Sequence, residues 1–244
     1  MTIFAFRAAV PALLCMAVWI CPSIAASAER ETSIEIVQNG LANQLSLEQD
    51  GADLAASVQI NGHENSAIET ANSIEQIGLE STAIVAIDGD QNSFEIRQEG
   101  STTEAGNNEA LAEIIGDDNA IEITQINLFG EGYFNVGSIS QLGDGNFASI
   151  EQEINPNELI GGGNAASITQ DGYDHIARIR QAGADNSALI DQSGSGNLGT
   201  IIQDGEGLAA ALYQDGVGLE YTINQTGCVI GTGCGTVTVS QTGP

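Results

Sequence analysis

Residues 170–225 read QDGYDHIARIR QAGADNSALID QSGSGNLGTII QDGEGLAAALY QDGVGLEYTIN Q, five units of eleven residues. Gln170, Gln181, Gln192, Gln203, Gln214 and Gln225 recur at each boundary. Two places after each of the first five stands Gly172, Gly183, Gly194, Gly205 or Gly216. Five places on come His175, Asn186, Asn197, Leu208 and Leu219; nine places on come Ile179, Ile190, Ile201, Leu212 and Ile223. Tandem copies in one register define a repeat architecture.

Positions five, seven, nine and eleven of the unit share a parity, so in a strand they face the same way. Asn186, Ala188, Ile190 and Gln192 would line one face, and Ser187, Leu189 and Asp191 the other. The intervening Gln-x-Gly-x-x-Asn is turn chemistry, with Gly and Asn expected at positive φ. An eleven-residue period also suits three helical turns. The recurring glycines and the period-two alternation of Ala-x-Ile-x-Gln oppose a helix.

Successive strands could form hairpins or face each other across a flat coil. The repeated buried-phase amides favour the coil. There two strands make a turn of about 22 residues, and equivalent residues stack about 4.8 Å apart. A buried amide is costly without partners, and a ladder supplies one above and one below. The fold expected is therefore all-β: a β-solenoid of two short strands per turn, stacked parallel in two facing sheets.

The unit continues upstream. Gln38, Gly40, Asn43 and Gln49 form the first clear copy; Gln141, Gly143, Asn146, Ile150 and Gln152 form another, and Asn164, Ile168 and Gln170 lead into the regular block. Four interruptions each span 16 residues between rung positions: Ile60–Gln76, Gln98–Ile114, Gln125–Gln141 and Gln225–Gln241. Five residues are thus added to a turn while strand length holds. About seventeen strands, or eight turns at about 4.8 Å, give a coil roughly 40 Å long. One repeat domain is expected over residues 29–244, with a longer loop at 153–163 and an insertion at 226–234 that carries Cys228 and Cys234. These two are candidates for a small-loop disulfide in an exported protein.

Export is read from the start of the chain. Arg7, an apolar run from Ala8 to Ile20 and the small-residue site Ala26-Ser27-Ala28 resemble a secretory signal peptide, residues 1–28, expected to be cleaved before Glu29.

The 244-residue chain carries 33 acidic residues against five arginines and no lysine, a net charge of -28. That opposes a nucleic-acid partner. Its 42% hydrophobic content opposes a disordered acidic chain. No constellation of catalytic residues, metal ligands or cofactor-binding residues stands out, so no enzyme activity is expected. His63 and His175 are the only histidines; both fall at turns and are expected to be exposed. Asp171, Asp204 and Asp215 recur after Gln, where Asp is common for conformational reasons. The calcium-binding Gly-Gly-x-Gly-x-Asp repeat is missing. Tyr221 is read as core filler in the column of Ala177 and Ala188. Outward positions often hold acids, among them Glu48, Glu95, Glu122, Glu151 and Asp191.

The unit resembles the repeat of the curlins, secreted subunits of bacterial curli amyloid fibres, whose pattern is Ser-x5-Gln-x-Gly-x-x-Asn-x-Ala-x5-Gln. Ser187 to Gln192 continues through Gly194 and Asn197; Ser33 to Gln38 continues through Gly40, Asn43, Ser46 and Gln49; Gln141, Gly143, Asn146, Ala148 and Gln152 match the second half. The resemblance extends over nearly all of residues 32–241. It implies a curlin-like β-solenoid, export through an outer-membrane channel, and assembly at the cell surface into fibres for adhesion and biofilm matrix. A nucleator or companion subunit is an implied partner, and the resemblance leaves major subunit and nucleator-like subunit both open. It also implies that internal ladders guide polymerisation: Gln38, Asn43, Gln49, Gln141, Asn146, Gln152, Gln181, Asn186, Gln192, Asn197 and Gln203. Gln170, Gln214 and Gln225 occupy the same phase. The alternative function is a capped, non-polymerising extracellular solenoid that binds a surface or glycan.

Overall fold

The computed structural model describes residues 19–22, 32–66, 72–101, 107–128, 133–154, 162–227 and 234–243. Strands alternate between two sheets. One contains β1 (Trp19–Pro22), β3 (Leu45–Ala52), β5 (Asn72–Leu79), β7 (Ser93–Gly100), β9 (Ala120–Asn127), β11 (Phe147–Glu153), β13 (Ile176–Ala182), β15 (Leu198–Asp204) and β17 (Glu220–Thr226). The other contains β2 (Ser33–Asn39), β4 (Ala55–Asn61), β6 (Ser81–Asp88), β8 (Asn108–Ile115), β10 (Asn135–Leu142), β12 (Ala165–Tyr173), β14 (Ser187–Ser195), β16 (Ala209–Val217) and β18 (Thr236–Thr242). Each strand pairs in parallel with the strand two places on in the chain, which is a flat coil with two strands per turn. β1 lies inside the segment read as a leader and pairs with the edge of β3.

Register follows the side-chain columns. In the odd-strand sheet Leu47, Ile74, Ile96, Ile123, Ile150, Ile179, Ile201 and Ile223 stack one on the next. In the other, Ile139, Ile168, Ile190 and Leu212 do the same. All of these are buried. Branched side chains suit the pleated surface, and burying each contributes about 1.5–3 kcal/mol. A one-residue slip would turn a whole column to solvent. The 22-residue period and the hydrophobic pattern therefore select the same register.

The second inward column is small where it meets the Gln rungs of the facing sheet. A Cβ on Gly199 would lie 3.1 Å from both Gln192 Nε2 and Gln214 Oε1. Ala148, Ala177, Ala188 and Ala210 occupy the same columns in neighbouring turns. Tyr221 stacks on Gly199 in this column, yet is 41% exposed rather than core. The reason is position: among the described residues β17 is the last strand of its sheet, so no further strand stacks on the ring.

The turns are stacked too. Gly62, Gly89, Gly116 and Gly143 each donate a backbone N–H to a carbonyl in the preceding turn. Positive φ falls at the glycine two places after the rung and again two places later, at Ala42, Asp53, Glu64, Glu80, Gln91, Asp118, Asp174 and Asp185 or at Gly145, Gly196, Gly207 and Gly218. The Asn that follows is not a positive-φ residue. Its conserved phase serves a different purpose, because its side chain bridges turns.

Candidate self-assembly site: the amide ladders

Every Gln rung in the odd-strand sheet donates Nε2–H to Oε1 of the next rung. The chain runs from Gln49 through Gln76, Gln98, Gln125, Gln152, Gln181 and Gln203 to Gln225, with distances of 2.5–2.9 Å. The even-strand sheet repeats this from Gln141 through Gln170, Gln192 and Gln214 to Gln241, at 2.8–2.9 Å. The second Nε2–H crosses the core. Gln152 donates to the carbonyl of Val136, Gln181 to Ala165, Gln192 to Ile176 and Gln203 to Ser187. One amide thus joins two turns and both sheets.

All donations along the ladder point towards the C-terminal end of the coil. This polarity explains three orphaned atoms. Gln49 begins its ladder, and its Oε1 has no donor. In the even-strand sheet Gln38 is followed in register by Ile60, Ile87 and Ile114, and then by Gln141. Gln38 Nε2 therefore has no acceptor above it, and Gln141 Oε1 no donor below it.

The Asn positions form a second pair of ladders at the turns. Asn43 Oδ1 accepts from Asn65 N–H, and Asn65, Asn92 and Asn119 in turn accept from Asn92, Asn119 and Asn146. Their Nδ2 groups donate to glycine carbonyls, for instance Asn119 to Gly143 and Asn146 to Gly172. On the opposite edge Asn164 and Asn186 do the same towards Gly183 and Gly205. Asn197 donates to Gly216 and accepts from Leu219 N–H.

Placed against the residues read from sequence, Gln141, Gln152, Gln170, Gln181, Gln192, Gln203, Gln214, Asn146, Asn186 and Asn197 are buried rungs, while Gln38, Asn43 and Gln225 are half-buried near the ends. The turn residues Gly40, Gly143, Gly172, Gly183, Gly194, Gly205 and Gly216 all have positive φ. Gln76, Gln98, Gln125, Gln241, Asn65, Asn92, Asn119 and Asn164 are further rungs that the shorter set of candidates omits. The phase of the repeat marks each of them once the 16-residue interruptions are allowed for. Cys228 lies outside the described residues. Cys234 Sγ is 3.1 Å from the carbonyl oxygen of Glu206.

His175 corrects an expectation. It is buried, not exposed, and takes the place of Asn in the turn ladder. Its N–H donates to Asn146 Oδ1, and its Nδ1 accepts from Asn197 N–H at 3.3 Å. That role needs a neutral ring with the proton on Nε2, which lies 3.4 Å from the Asp171 carbonyl. Burial lowers the His175 pKa from 6.5, against the opposing pull of the Asp171 and Gly194 carbonyls and the Asp171 and Asp174 carboxylates. Below pH 6.5 the unfolded chain therefore binds a proton before the folded chain does. The stability this rung supplies is complete above that pH and declines as pH falls towards the folded value. His175→Asn is expected to flatten the fall in denaturant midpoint between pH 7 and pH 5. Identical falls in variant and parent would contradict this.

Acids also ladder at the turns, where His63, Asp90 and Asp117 N–H donate to Asp90, Asp117 and Asp144 Oδ1. His63 is exposed. Among the described residues no group of three or more His, Cys, Asp or Glu side chains is placed to hold a metal ion. Asp171, Asp204 and Asp215 are exposed at separate turns. On the outer face of the odd-strand sheet Arg97 pairs with Glu75 and Glu99, Arg180 with Glu151, and Arg178 lies over the Phe147 ring. Such exposed pairs add little stability.

The repeat unit itself finds a counterpart. Residues 161–194 match the family described as curlin associated repeat. No curated protein and no solved structure matches the chain. The match covers Asn164, Ile168, Gln170, Gly172, Gln181, Asn186, Ile190, Gln192 and Gly194, which are rung, core and turn residues of β12, β13 and β14 and of the turns leading into them. The chain is thus a repetitive, all-parallel β-solenoid similar to curlin repeats. That is consistent with a structural or adhesive protein.

Proposed function

We propose that the chain is a secreted structural subunit that stacks end to end into curli-like amyloid fibres, serving surface adhesion and biofilm matrix. The observation that carries this reading is the open, polarised ladder. Gln49 Oε1 is an acceptor without a donor at one end, where loss of the leader strand β1 would bare the edge of β3, and at the other end β17 and β18 are the last strands of their sheets among the described residues. Open sheet edges template further strands, and here the side-chain amides add directional hydrogen bonds to the backbone ones. On this reading the leader is cleaved after Ala28, and the principal partner is the chain itself. An outer-membrane channel and a nucleator or companion subunit are further partners. A Cys228–Cys234 disulfide would close the last insertion.

A time course of the chain from Glu29 to Pro244 diluted from denaturant tests the reading. Thioflavin fluorescence should rise after a lag, giving fibres with reflections at about 4.7–4.8 Å and about 10 Å. A soluble β-rich monomer at every concentration would overturn it and favour a non-polymerising adhesin.

The net charge of -28 opposes close approach of two coils. Lowering the pH from 8 to 4, or adding a divalent cation, is expected to shorten the lag several-fold. Constant lag times across that range would remove charge repulsion as the control.

A further inference from the structure

Resting on the stacking proposed above, we infer that successive copies join by a screw: each is turned by about 180° about the fibre axis, so that β2 of the incoming copy pairs on β17 and its β3 pairs on β18. The reason is an odd strand count. Among the described residues from Glu29 on, the coil runs from β2 to β18, seventeen strands, beginning and ending in the even-strand sheet. Because strands alternate between sheets, the position that follows β18 lies on β17, in the odd-strand sheet. An incoming copy in the same orientation would instead set β2 on β18 and leave a strand-sized gap between β17 and its own β3. The rotated copy fills both positions and keeps every strand parallel, since a half-turn about the axis maps the direction of one sheet onto that of the other.

The ladders distinguish the two arrangements. Gln225 and Gln241 are the last rungs, and each accepts from the rung before it. In the rotated arrangement Gln225 reaches Gln38 and Gln241 reaches Gln49, with donor meeting acceptor in the polarity of every internal rung. Gln49 Oε1, without a partner in the single chain, then receives its missing donor from the strand that takes the place β1 holds before the leader is removed. In the unrotated arrangement Gln241 reaches Gln38, while Gln225 and Gln49 sit two strand spacings apart, about 9.6 Å. Gln49 Oε1 meets no rung there, and the ladder is broken at every junction. The inward and outward alternation is preserved in both arrangements, so side-chain parity does not choose between them; filling the gap and continuing the amide ladder do.

The long connections make the symmetry visible. Those after β7, β9, β11 and β17 join odd to even strands and so leave from one edge of the coil, while the one after β4 joins even to odd and leaves from the other. In a screw fibre they alternate sides along the axis.

Helical reconstruction by electron cryomicroscopy of fibres grown from Glu29–Pro244 tests this. The expected symmetry is a rotation near 180° with a rise of about 41 Å per copy, eight and a half turns at about 4.8 Å. A rotation near zero, with the connections after β7, β9, β11 and β17 of every copy on the same side, would overturn the screw and leave the fibre-subunit reading standing. Failure to form ordered cross-β fibres would overturn both.

Discussion

Gln170→Ile is expected to destabilise the folded coil by about 2–4 kcal/mol, whereas Gln141→Ile should cost less than about 1 kcal/mol. The substitutions are chemically identical, and both side chains are buried. They differ in what stands on either side. Gln170 accepts from Gln141, donates to Gln192 and caps the Phe147 carbonyl across the core. Its loss strands Gln141 Nε2, Gln192 Oε1 and that carbonyl together. Gln141 already sits beside Ile114, and its Oε1 is already orphaned. Replacing it moves the boundary between the Ile and Gln columns up by one rung and exchanges one orphan for another. Its bond to the Ala120 carbonyl at 3.2 Å is the main loss. The natural column of Ile60, Ile87 and Ile114 shows why the boundary matters more than the residue: an uninterrupted apolar column has no amide left to satisfy. Denaturant midpoints of the two variants, measured under conditions that keep the chain monomeric, check this. Equal losses would mean that ladder continuity is not the source of the stability.

Gly172→Ala should have an effect of similar or greater size, about 3 kcal/mol or more, with Gly196→Ala as its control at about 1 kcal/mol. A Cβ on Gly172 would lie 1.9 Å from the Gly194 carbonyl oxygen and 2.9 Å from His175 Nε2, at a φ of +135° that L residues rarely adopt. The contact is with backbone, so no rotamer change relieves it. That carbonyl belongs to the next turn, and separating the turns enough to fit a methyl would break the 4.8 Å stacking on both sides. Gly196 has φ +62°, and a Cβ there meets nothing within 4 Å. Asp174 and Asp185 already hold the equivalent position at φ +56°. Thermal or denaturant unfolding of the two alanine variants separates a position closed by its neighbour from one that only needs a left-handed backbone. A tolerated Gly172→Ala would mean that the turns do not stack this closely.

The architecture was largely legible in the chain because its determinants are local and repeated. A side-chain period of two assigns parity, glycines two residues past each Gln mark the turns, and residues eleven apart in five consecutive units place Ile179, Ile190 and Ile201 in equivalent environments. The role of Asn was only half legible. Its inward phase was evident at Asn186 and Asn197, but the turning residue is the one before it, and Asn instead ties two turns together. His175 shows the limit of reading a residue by type. Histidine beside a turn is usually solvated, yet this one stands at a buried Asn position with an imidazole nitrogen where an amide oxygen is needed.

From the sequence by itself come the strand and turn pattern, the inward columns, the length of a turn and the likeness to curlin repeats, because all of these are set by spacing along the chain. Only the tertiary structure decides which rung meets which. It shows that Gln38 faces Ile60, that Gln141 follows Ile114, that Gln49 opens a ladder, and that Tyr221 is uncovered at the end of its sheet. Those facts depend on contacts 22 to 29 residues apart and on where insertions shift the stack. A hydrogen bond is satisfied or orphaned by its spatial neighbour, and the spacing of a repeat does not reveal that neighbour until the turns are stacked.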